Sequence, residues 1–143
     1  MDYLNAFAIS ASGMNVEKLR LDVTAANLAN IHSGVRPDGS LYQPLQVVTM
    51  EAPQGFSTRF EQQAGVELHG AQVAGVIANP VPPHMVYQPG NPKADNKGFI
   101  KEPGIDQVTE MVNLVTALRA YEANTVALNA AKTMALKAIE LGA

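Results

Sequence analysis

From Gln107 to Leu141 the chain reads QVTEMVNLVTALRAYEANTVALNAAKTMALKAIEL, thirty-five residues without a proline or a glycine. Proline removes a backbone donor and clashes with the preceding turn, so a long run without it is free to be one helix. Within the run, Met111, Leu114, Leu118, Tyr121, Thr125, Leu128, Lys132, Ala135 and Ile139 follow at alternating steps of three and four. That is the spacing of a helix face wound against a partner. Upstream, Pro103-Gly104 is a stop signal and Asp106 can accept from the free amides of a first turn; downstream, Gly142 suits a left-handed residue beyond a helix end.

The same spacing recurs at the other end, in Leu4, Phe7, Ala11, Met14, Lys18, Leu21, Ala25 and Leu28. All nine prolines and nine of the eleven glycines lie between Ile31 and Asp106, which leaves both ends open to long helices. At about 1.5 Å per residue these would be roughly 42 and 52 Å long. The expected fold class is therefore α+β: long N- and C-terminal helices packed as a coiled-coil hairpin, with a small β-rich domain between them. The boundaries are 1–30, 31–106 and 107–143. The matched seams suggest that the two helices pack on each other. A second apolar row, Val16, Leu19 and Val23 on the first helix and Val108, Val112, Val115 and Val126 on the second, lies off those seams. A two-helix hairpin has no use for two stripes, whereas a bundle of several chains does. Lys18 and Lys132 can snorkel to the edge of the seam, and Gly13 is either tolerated or marks a bend.

In the middle, Gln46–Met50, Val66–Leu68, Gln72–Ile77 and Met85–Tyr87 read as short strands bounded by turn formers. The turn signals are Pro37-Asp38-Gly39, Pro89-Gly90-Asn91-Pro92 and Asp95-Asn96-Lys97-Gly98. Gly55–Gly65 has no periodicity and reads as a mobile loop.

Ten basic against thirteen acidic residues, a net charge of −3, give no electropositive footprint for nucleic acid. With no cysteine, disulfides and thiolate chemistry are excluded. No stretch reaches the roughly 18 consecutive apolar residues that span a bilayer, and the N-terminus does not read as a cleavable signal peptide. His32, His69 and His84 belong to no metal-ligand spacing, and the Asp95 turn lacks the glutamate of a calcium loop. Neither a phosphate-binding loop nor a nucleophile elbow occurs. The reading is of a protein with no catalytic residues, no metal, no cofactor and no small-molecule ligand.

Asn27-Leu28-Ala29-Asn30, followed by Gly39 to Tyr42 and Tyr42-Gln43-Pro44, resembles the N-terminal signature of the flagellar rod and hook family. The second half resembles proximal-rod members of that family more closely, over Val86 to Asp95, Gly98-Phe99-Ile100-Lys101, Glu110-Met111-Val112-Asn113, Arg119-Ala120-Tyr121-Glu122-Ala123-Asn124, Lys132 and Leu141-Gly142. Asn91 stands where histidine is frequent, and Pro103-Gly104-Ile105-Asp106 replaces Pro-Asn-Val-Asp; neither touches a seam. The resemblance implies terminal helices that bundle with neighbouring subunits around a hollow tube, with the β domain outward. It implies export without a cleavable signal, assembly in the periplasmic space, and torque transmitted from the membrane ring to the distal rod. The implied partners are copies of the chain itself, other proximal and distal rod proteins, and ring and export-gate adaptor proteins.

The residues expected at subunit interfaces are Leu4, Phe7, Ala11, Met14, Leu21, Ala25, Asn27, Leu28 and Asn30 on the first helix. On the second they are Met111, Leu114, Leu118, Arg119, Tyr121, Glu122, Asn124, Leu128 and Ala135. Asn27 and Asn30 also fit a plain helix C-terminus, where asparagine bonds nearby backbone. Two other classes remain open at this point: a coiled-coil adaptor or export-linked factor using the same helices, and a small hydrolase assembled from distant residues.

Overall fold

A computed structural model describes residues 3–52 and 69–142. The predicted strand at Val66–Leu68, the predicted loop at Gly55–Gly65 and the side chain of Leu4 lie outside the described residues. Helix α1 spans Tyr3–Ala29, and strands β1 Leu45–Glu51, β2 Ala71–Ala78, β3 His84–Tyr87 and β4 Phe99–Glu102 follow. Helix α2, Gln107–Gly142, closes the chain. This is the α+β layout expected, with two long terminal helices bracketing the strands. β4 carries the Phe99-Ile100-Lys101 motif, which the strand pattern alone did not single out. Gly142 remains in the helix instead of capping it.

The strands make two separate antiparallel hairpins, β1 with β2 and β3 with β4, and no common sheet. β1–β2 runs from Leu45 opposite Ala78 to Glu51 opposite Ala71, with a register shift between Val48 and Thr49. β3–β4 pairs His84 with Glu102 through Tyr87 with Phe99, whose rings meet edge to face at 5.2 Å. Its loop uses Asp95 as an internal scaffold: Oδ1 accepts from the amides of Lys97 and Phe99, while Gly98, at φ 80°, takes the left-handed turn position.

The helices are antiparallel. Asn27 meets Glu110 at one level and Gly13 meets Asn124 at another, an equal step along both helices. Extended by that step, Tyr3 falls opposite Met134, so α2 projects past the described start of α1 from Ala135 onward. Alongside α1 lies the β1–β2 hairpin, tied at Leu45 to Asn27 and at Ala71 to Ser12. Seven strand residues at about 3.3 Å match fifteen helical residues at about 1.5 Å, so one hairpin covers that length of α1.

The expectation that the two quoted seams face each other holds in part: Thr125 Oγ1 lies 3.9 Å from Met14 Sδ, one residue from each seam. On α1 the buried residues are Ser10, Val16, Val23, Thr24 and Asn27, which is the off-seam row plus polar side chains. At 100° per residue Phe7, Ala11, Lys18 and Ala25 of the quoted seam lie opposite Val16 and Val23, while Met14, Leu21 and Leu28 lie beside Ser10 and Thr24. Ala11, Lys18 and Ala25 are exposed, and Phe7, Met14, Leu21 and Leu28 are half-buried. On α2 the register is half shared. Leu114, Tyr121, Thr125, Leu128 and Ala135 are half-buried, with Ala117 and Ala131 fully buried between them, but Met111, Leu118, Lys132 and Ile139 stay exposed.

Close approach is the physical reason. A Cβ on Gly13 would stand 2.9 Å from Asn124 Oδ1, so glycine lets the helices meet face to face where a larger residue would hold them apart. Gly13 marks the place where α1 comes close to Asn124.

Candidate assembly surface

Asn27 organises the end of the molecule where both helices and β1 converge. It is 2% exposed, and every polar atom of its side chain is bonded inside the subunit. Oδ1 accepts from the Leu45 amide at 2.8 Å and from the Tyr42 hydroxyl at 2.9 Å. Nδ2 donates to the Leu45 carbonyl at 2.9 Å and to Glu110 Oε2 at 3.3 Å. The amide thus bonds the first residue of β1 as a neighbouring strand would, and reaches α2 as well. Burial, reinforced by the Glu110 carboxylate, raises the Tyr42 phenol above its ordinary pKa. Asn30 acts locally: its Nδ2 donates to the Ala26 carbonyl at 2.8 Å and closes the end of α1.

Re-entry into α2 is equally constrained. Pro103 and Ile105 are buried, and a Cβ on Gly104 would collide with the Pro82 carbonyl oxygen. Asp106 then caps α2, with Oδ2 accepting from the Thr109 amide at 3.0 Å and from its hydroxyl. Those two bonds hold the Asp106 carboxyl below its ordinary pKa.

The outward faces are apolar. Val108, Met111, Val112, Val115 and Leu118 are all exposed along the first third of α2, Val108 at 68% and Val115 at 53%. Further along, Val126, Leu136 and Ile139 are exposed, and Leu141 at the projecting end is 90% exposed. Arg119 and Glu122 are exposed on this outer side and pair with each other at 2.8 Å. Asn124 turns inward, its Nδ2 donating to the Ala120 carbonyl at 2.9 Å. Tyr121 is half-buried, and its carbonyl accepts from Thr125 at 3.0 Å.

The structure therefore divides the expected interface residues. Asn27 is enclosed within the subunit, Asn30 closes a helix end, Asn124 meets Gly13, and Leu114, Tyr121, Leu128 and Ala135 are half-buried along the side of α2 that carries Ala117 and Ala131. Met14 meets Thr125 across the two helices, Phe7, Ala11, Leu21, Ala25 and Leu28 continue its row, and Met111, Leu118, Arg119 and Glu122 lie on the outward row of α2. Val108, Val112 and Val115 belong with the second row; the sequence showed them as a stripe off the seam, and that was their signal. Among the described residues no three metal-ligating side chains converge. His32 Nδ1 lies 3.1 Å from Glu102 Oε2, His84 opens β3, and none of the described helices is long and apolar enough to cross a membrane.

A thin helical hairpin with apolar rows facing away from its own core, and a β flank clamped to it by polar side chains, defines a subunit built to be packed by neighbours. Comparison with known proteins gives that class its family. Residues 7–36 match the model described as flagella basal body rod protein, and residues 96–141 match the model of the flagellar basal body rod FlgEFG protein C-terminal region. The chain is 42% identical over 142 residues to the flagellar basal-body rod protein FlgC of Yersinia enterocolitica, and 43% identical over 143 residues to that of Salmonella typhimurium; each match covers 99% of both chains. The FlgC of Bacillus subtilis is 32% identical over 149 residues, again covering 99% of each. The chain belongs to the FlgC family of flagellar basal-body rod proteins and is a structural component of the flagellar rod.

Proposed function

We propose that this subunit builds the proximal part of the rod through its terminal helices, the α1 row from Phe7 to Leu28 and the α2 row from Val108 to Leu118 packing on neighbouring subunits around a hollow core. The observation that carries this is the row of five exposed apolar side chains on α2, which the subunit's own fold leaves uncovered. A surface of this kind on a soluble chain is a contact surface, and burying it returns roughly 25 cal/mol for each Å². Assembly, and not catalysis, is the activity. Copies of the chain itself, other proximal and distal rod proteins, and ring and export-gate adaptor proteins are the partners. Export without a cleavable signal would bring the chain to the periplasmic space, where the finished tube carries torque from the membrane ring to the distal rod.

The substitutions Met111→Asp, Val115→Asp and Leu118→Asp test this together. All three side chains are at least 41% exposed in the subunit. The far-UV spectrum and melting temperature of the purified chain should therefore change little, whereas its incorporation into washed basal bodies should be lost. Normal incorporation and swimming in the triple variant would overturn the proposal.

A further inference from the structure

An open cleft of about 930 Å³ lies at the hairpin end of the molecule, far from the projecting end of α2. One wall is the segment after α1, from His32 to Pro37; the other is the loop that joins β3 to β4, from Gln88 to Lys93, together with Ile100 to Glu102 of β4. Both walls are held from within. The Arg36 amide donates to the Ser40 carbonyl at 2.9 Å, and the Gly39 amide returns to the Arg36 carbonyl at 2.9 Å. Opposite, the Asn91 amide donates to the Gln88 carbonyl at 3.1 Å, and Asn91 Oδ1 accepts from the Lys93 amide at 3.0 Å. Two bridges tie wall to wall: Lys93 Nζ donates to the Val35 carbonyl at 3.3 Å, and His32 lies within hydrogen-bond distance of Glu102. The cleft is thus preorganised, which lowers the ordering cost of filling it.

Its charge runs against that of the chain. The whole protein carries a net charge of −3, yet Arg36, Lys93 and Lys101 line this one cleft and are all exposed. Glu102 is the one carboxylate among the lining residues, and it is largely buried beside His32. Asp38, near Arg36, is occupied by the amide and hydroxyl of Ser40. Between the cations the surface is apolar, from Val35, Pro37, Pro92 and Ile100. A positive rim over an apolar floor is complementary to carboxylates spaced among aliphatic side chains.

We infer that this cleft docks an acidic, aliphatic segment of a neighbouring protein subunit. Carboxylates of the segment meet Arg36, Lys93 and Lys101, and its methyl groups rest on the apolar floor. The inference rests on the assembly reading above and names a second contact surface, separate from the helix rows.

The test uses the full-length chain and a peptide of alternating glutamate and leucine, with its lysine-for-glutamate counterpart and phosphatidylglycerol vesicles as the other probes. His32, assigned through His32→Gln, is the local reporter by NMR. The glutamate peptide should shift the His32 resonance. Its affinity should fall about tenfold or more in Lys93→Glu/Lys101→Glu, fall less in the Gln/Gln pair, and weaken as salt rises from about 50 to about 300 mM. Equal binding of the lysine peptide, a His32 shift by vesicles alone, or no shift with any probe would overturn the inference. In cells, the Glu/Glu variant should be depleted from washed basal bodies relative to a Lys97→Glu control, which reverses an exposed charge outside the cleft and both helix rows, and incorporation at the wild-type level counts against the cleft alone. Absence of the wild-type chain from those basal bodies would instead defeat the assembly reading.

Discussion

The two helices and the β1–β2 hairpin are held in opposite ways. Between α1 and α2 the helices meet closely where Gly13 faces Asn124 and Met14 meets Thr125, with Ala117 and Ala131 the residues of α2 that are fully buried. Between α1 and the hairpin the described clamps are polar and directional, Asn27 on Leu45 and Ser12 on Ala71. The difference teaches how a thin subunit can keep its apolar rows for its neighbours. Close approach at Gly13 joins the helices while the apolar row from Val108 to Leu118 stays exposed, and hydrogen bonds orient the strands without needing a deep core.

The comparison breaks most readily at Asn27. Replacing it with leucine strips partners from the amide and carbonyl of Leu45, the Tyr42 hydroxyl and Glu110, and should cost about 3 kcal/mol in urea unfolding. Asn30→Ala removes one capping bond and should cost under about 1 kcal/mol. Equal effects would mean that the polar clamp is not what holds the β flank. Next is Gly104→Ala, where the new Cβ meets the fixed Pro82 carbonyl instead of a movable side chain. A loss of about 2 kcal/mol is expected, with protection of the backbone around Ile105 falling in hydrogen exchange.

The helix crossing should respond more gently. Gly13→Ala gains about 1 kcal/mol in helix propensity but displaces Asn124, whose bond to Ala120 is then lost, so the net change should be close to zero. Gly13→Ala with Asn124→Ala removes the collision and should be more stable than the wild type by about 1 kcal/mol; additive behaviour of the two changes would contradict the close approach.

The smallest effect is a pH dependence at Asp106. Its folded pKa lies below the ordinary 3.8, so its stabilisation is complete above that value and is lost as pH falls through the lower, folded pKa. Asp106→Asn should lack that part of the acid sensitivity, as seen in melting curves from about pH 5 down to about pH 2.

The long elements were legible because their signals are local. Proline confinement and steps of three and four marked both helices, Asp106 announced its own cap, and the glycines at 39 and 98 fell where turns need positive φ. β4 escaped because Phe99–Glu102 is four residues long and carries two charges, and it is a strand through pairing with His84–Tyr87. The helix register was legible only in part for a related reason. α1 carries two apolar stripes on opposite sides, and periodicity counts both without saying which one meets α2.

By itself, the sequence determined that both ends are helical, that the middle is extended and turn-rich, and that more apolar surface exists than a hairpin can bury. These follow from backbone chemistry and from spacing along a single helix. The tertiary structure decided which stripe closes inside and which faces out, because that choice depends on Gly13 meeting Asn124 and Asn27 meeting Leu45 and Glu110. Such contacts join residues far apart in the chain, where no local period can register them.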